Sequence, residues 1–179
     1  MYEKEKDRFS DFESRFWSGQ KKHSALPLMD LFFQFYDLAA AKERLSLIIR
    51  YAAQKKTRIP EDPSAVFHFY QSMRSFVRAG YNLRKKTGKW ELKVRPDKDS
   101  MLGRGLLSEK EYHDPVRVFR KAFKEYRPEQ FLEFLAEAVH FSLGPFNHAP
   151  EGNLICPYLH LVKMIDAAWL IVERASAEK

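Results

Sequence analysis

Apolar residues recur at spacings of three and four along most of the chain, the period of helices that bury one face. Phe9, Phe12 and Phe16 share such a face, which Trp17 extends, and predict a helix over residues 2–17. Gly19 and residues 20–24 read as a loop. Leu28, Leu31, Phe32, Phe35 and Leu38 form the next stripe, continued by Leu45, Ile48, Ile49 and Ala52 beyond a run of three alanines. They predict one long helix over 27–56 or two abutting ones, with Pro27 suited to a first turn and Asp37 able to cap a second helix. The stretch from Thr57 to Pro63 contains Pro60 and ends the segment.

Ser64 then has the character of an N-cap. Val66, Phe69, Tyr70, Met73, Phe76, Val77 and Tyr81 predict a helix reaching about Lys86, with Gly88 as its stop. Trp90 to Arg95 alternates apolar and polar, the period of a half-buried strand. Such a strand needs a partner for its backbone, either near 101–107 or across a dimer, and an extended loop fits the same pattern. Residues 96–105 are polar and glycine-punctuated, and are expected to be mobile.

Ser108 to Glu111 has the form of a capping box, and Asp114-Pro115 offers a cap followed by a first-position proline. One helix should follow to Tyr126, another from Arg127-Pro128 to Leu143, where Gly144-Pro145 stops it. After a loop, the last helix is predicted over 155–175. It is apolar nearly all round, interrupted by His160, Lys163 and Asp166, and belongs at the centre of a bundle. The expected fold is therefore all-α: a single domain over 1–179 of about six helices, with one short extended segment near 90–95.

Composition narrows the compartment more than the function. The chain has 179 residues, of which 45% are apolar, and only 7 Gly, which argues against a turn-rich all-β fold. Cys156 is the single cysteine, so no intrachain disulfide forms and a reducing, cytoplasmic location is expected. A small buried residue is the expected role for Cys156. The N-terminus carries both signs of charge and lacks the apolar core of a secretory signal. Residues 154–172 approach membrane length, but ionisable groups at three positions favour a buried helix and no membrane partner.

Charge is unevenly distributed. Between Lys42 and Arg127 there are 22 Lys+Arg against 10 Asp+Glu, a net of +12 within a chain whose total is +7. Two stripes carry much of it. Arg74, Arg78, Tyr81 and Lys85 line up on one helix, followed by Lys86. Arg117, Arg120, Lys121, Lys124 and Arg127 share one side of another. Side by side, they would track a phosphate backbone, with Tyr81 or Trp90 available to stack on a base. Zinc-finger spacing and RNA-recognition motifs are absent from the sequence. The expected function is thus a non-enzymatic binding protein for an anionic partner, nucleic acid or an acidic protein, through Arg74, Arg78, Lys85, Lys86, Arg117, Arg120, Lys121 and Lys124.

Two alternatives compete. Glu133, Glu137 and His140 share a helix face, and Glu137 with His140 makes one Glu-x-x-His element, but a di-iron bundle needs two such elements and more carboxylates. His140, Asn147, His148, Cys156 and His160 flank or occupy one inter-helix loop, where a Cys–His pair would support nucleophilic chemistry around 137–160. Turn formation and capping explain the same residues, and the sequence offers no orienting third group. No cofactor is expected, since Gly103-Arg104-Gly105 is too short for a dinucleotide fingerprint. The other alternative is a homo-oligomeric scaffold whose interface uses Phe32, Phe33, Trp90 or Trp169.

Overall fold

The hydrophobic periodicity resolves into eight helices, with no strand among the described residues, in a computed structural model that describes residues 12–19, 24–93 and 104–178. They are α1 (Phe12–Ser18), α2 (Ala25–Phe35), α3 (Leu38–Ala53), α4 (Pro63–Leu83), α5 (Glu109–His113), α6 (Val116–Glu125), α7 (Pro128–Leu143) and α8 (Ile155–Ala177). The protein is all-α, with two more helices than anticipated. Asp37 divides 27–56, its carboxylate accepting the Ala40 N–H at 2.7 Å. Ser108 and Glu111 close a reciprocal capping box that makes α5 a short helix of its own.

Other local signals needed correction. The cap of α4 is Asp62 rather than Ser64: its Oδ1 accepts the Ser64 N–H at 2.7 Å and the proline follows at the first helical position. Asp114 does not cap α6 with its side chain, which is drawn instead to Arg120. On α1, Trp17 is buried and donates to Ser75 Oγ at 3.0 Å, whereas Phe16 is 84% exposed. Phe9 and the rest of 2–11 lie outside the described residues, as do 20–23 and 94–103, where the mobile stretch was expected.

The segment expected as a strand is a turn. Trp90 is 3% exposed, and among the described residues one backbone bond runs from this stretch to another element, from the Leu92 N–H to the His113 carbonyl at 3.0 Å. Arg174 of α8 fixes the turn, donating to the carbonyls of Trp90 at 2.8 Å, Tyr112 at 2.7 Å and His113 at 3.2 Å. The apolar alternation reflects one anchored indole, not a ladder; Val94 and Arg95 lie outside the described residues.

Helix α8 passes through the core, with Leu161, Met164, Ile165, Ala167, Ala168 and Ile171 buried against α2, α3 and α6. By length and composition it is long and apolar enough to cross a membrane. Each of its three polar interruptions meets a polar partner from a different helix. His160 Nε2 lies 2.7 Å from Glu125 of α6, Lys163 lies 2.9 Å from Glu111 of α5, and Asp166 lies 2.7 Å from Lys42 of α3. An apolar helix can slide or rotate within a core; these pairs give it one register.

Helices α4 and α6 meet closely. A Cβ on Gly80 would come within 2.8 Å of the Phe119 ring, so the glycine lets α6 settle directly on α4. The rings of Tyr81 and Phe123 meet edge-to-face beside it at 5.2 Å.

Candidate anion-binding surface

The α4–α6 contact sets the geometry of the basic stripes. Tyr81 and Phe123 touch; Arg78 lies one turn before Tyr81, and Arg120 and Lys124 adjoin Phe123 on α6, whereas Lys85 and Lys86, expected on the helix, lie beyond its end at Leu83. Arg84 joins them, its guanidinium 3.2 Å from the Tyr81 ring centroid.

The stripes differ in how much positive charge they present. Arg74 pairs with Glu13 of α1 at 3.2 Å and lies over the Tyr70 ring, and Arg78 pairs with the same carboxylate. Arg120 pairs with Asp114. These three arginines are half-buried and partly neutralised. Lys85 and Lys86 are exposed at the end of α4. Arg117, Lys121 and Lys124 are exposed on α6 and form no ion pair with any described carboxylate. Of the two stripes, the outer face of α6 therefore presents the less compensated charge.

Neither aromatic proposed for base stacking stands open. Trp90 is buried, and Tyr81 is covered by Arg84 on one side and met by Phe123 on another. Among residues named for a self-association interface, Phe32 and Trp90 are buried and Phe33 packs edge-on against Trp169. The most exposed large apolar side chains are Phe16, Ile155 and Phe67.

Sequence reasoning missed a recess beside the basic face. Lys121, Glu125, Cys156, His160 and Lys163 are among the residues lining a cavity of about 160 Å³ between α6 and α8. Cys156 is exposed here, not buried as expected, because α8 begins at the surface. Glu125 supplies the orienting group for His160 that the sequence did not reveal, since it lies 35 residues earlier on another helix. No hydrogen bond joins Cys156 to His160, however. Its sulfur is met by the Asn153 amide at 3.2 Å, and Asn153 Oδ1 accepts the N–H groups of Ile155 and Cys156. Asn153 thus satisfies the first two N–H groups of α8 from just before its N-cap Leu154, and Cys156 is held by Asn153 rather than by His160.

The remaining candidates separate in space. His140 stacks on Phe146 with ring centroids 4.6 Å apart, while His160 lies against Tyr126. No three His, Cys, Asp or Glu among the described residues are placed to hold a metal ion. No protein family, curated protein or solved structure matches the chain.

Proposed function

We propose that this is a cytoplasmic, non-enzymatic helical protein whose α4–α6 surface binds a polyanion, with nucleic acid the first candidate and an acidic protein surface the second. The observation that carries this reading is the Tyr81–Phe123 contact, which seats α6 on α4 although the two residues are some forty positions apart in sequence. Support also comes from α6, where Arg117, Lys121 and Lys124 are exposed without carboxylate partners. Half-buried Arg74, Arg78 and Arg120 serve as a held second row behind them, their carboxylate partners fixing the guanidinium positions.

The test is an anisotropy titration of short single-stranded RNA and duplex DNA over a series of salt concentrations. Released counterions should make log K fall linearly with log salt. Absence of binding at low ionic strength, or binding indifferent to salt, overturns the proposal.

A further inference from the structure

A second cavity, of about 270 Å³, lies between the start of α2 and the end of α4. Its walls combine two kinds of chemistry. Pro27, Leu83 and Trp90 give it an apolar lining, while Lys86 and Lys89 place two cations on it and no acidic residue lines it. The nearest acidic side chain in sequence is Glu91, which is exposed, and neither lysine forms an ion pair with a described carboxylate; Lys89 lies over the Trp90 ring at 5.2 Å.

The start of α2 and the Trp90 ring adjoin this space. Ser24, at the N-cap of α2, makes no side-chain capping bond, and α2 has no acidic residue in its first turn. Among the described residues, no carboxylate in this first turn or on the cavity wall offsets the positive end of the α2 dipole. Independently, Trp90 is 97% buried by its 3% exposure, yet its indole Nε1–H has no acceptor. That nitrogen is itself closed to solvent, so the indole ring rather than its N–H lines the cavity. Arg174 holds the Trp90 backbone, so this wall is formed before any ligand arrives.

We propose that this cavity binds a small organic anion, a carboxylate or phosphate carried on an apolar body. The anionic head is set between Lys86, Lys89 and the first turn of α2, and the body lies against Leu83, Pro27 and Trp90. The site shares Lys86 with the polyanion surface but otherwise uses Lys89, Trp90 and α2, and needs nothing from α6.

Indole N–H resonances of the full-length protein test it. The chain has 3 Trp, so the Trp90 signal is assigned by its loss in Trp90→Phe. Titration with 3-phenylpropionate or phenyl phosphate should move that resonance saturably. The neutral 3-phenylpropanamide and inorganic phosphate, each lacking one half of the ligand, should bind about tenfold more weakly or worse. Lys86→Gln/Lys89→Gln alters only exposed side chains, so the fold should survive, and it should weaken phenylpropionate by about tenfold or more. Lys121→Glu/Lys124→Glu should leave this binding unchanged, which separates it from the polyanion surface. Equal affinity for the amide, an unchanged double lysine variant, or a Trp90 resonance that no probe moves would overturn the proposal.

Discussion

Asp166 is a carboxylate at 4% exposure within a largely apolar helix, and its surroundings explain why it is tolerated there. Lys42 donates to it at 2.7 Å and the Leu106 N–H at 3.1 Å. Gly105 sits at φ +58, and any Cβ there would fall 2.4 Å from Asp166 Oδ2, so glycine is required by both backbone conformation and space. Asp166→Ala should cost about 3 kcal/mol, because it strands a half-buried ammonium and a backbone donor. Gly105→Ala should cost about 2 kcal/mol or more. Combined, the two should cost less than their sum, since removing the carboxylate relieves the clash. Urea unfolding of the four proteins measures this, and strict additivity would refute the account. Sequence alone flagged Asp166 as a polar interruption but gave no sign of Lys42, which is 124 residues away. Glu111 is a second informative carboxylate. Burial works to raise its pKa, but the Ser108 N–H and the Lys163 ammonium together outweigh that and hold it below the usual carboxylate value. Its contribution is therefore whole above the ordinary carboxylate range and is lost as pH falls through the lowered folded value. Glu111→Gln should flatten the acid limb of the stability profile, measured by melting temperature from neutral to acid pH; an unchanged limb would count against this assignment.

At the scale of elements, the close seat of α6 on α4 depends on Gly80. Gly80→Val should destabilise by about 2 kcal/mol, because the added methyls meet the fully buried Phe119 ring. The same change should weaken polyanion binding by displacing one stripe from the other. A variant as stable as the parent would show that α6 has freedom to move. Helix boundaries governed by neighbours in sequence were legible in advance: the Asp37 break, the Ser108–Glu111 box and the stop at Gly144 all depend on contacts within four residues. Boundaries with two eligible groups were not. Asp62 and Ser64 both carry a capping oxygen, and Asp62 takes the N–H and hydroxyl of Ser64 itself. Phe16 and Trp17 are similarly ambiguous, as adjacent helical residues point about 100° apart and only the packing of α1 on α4 selects the tryptophan. The alternation at 90–95 misled because period two records which side chain is buried, whereas a strand also needs a partner ladder.

Across the whole molecule, periodicity located the two basic stripes but not their neutralising partners. Glu13 reaches Arg78 across 65 positions, a pairing that only the docking of α1 on α4 creates. The outer face of α6 keeps its charge because the nearest acid on that helix, Glu125, is engaged with His160. In the salt titration, Lys121→Glu/Lys124→Glu should therefore lower the slope for duplex DNA by about 2 or more, whereas Arg74→Gln should have a smaller effect because its charge is already shared with Glu13. The exposed Cys156 also bears on how the molecule behaves without reductant. With one accessible sulfur per chain, air oxidation can link two copies and no more, giving a covalent pair that runs at twice the mass without reductant and collapses to one band with it. Sedimentation without thiol protection would count that artefact as native assembly, while the same sulfur accepts a single maleimide dye beside Lys121 with no engineered cysteine.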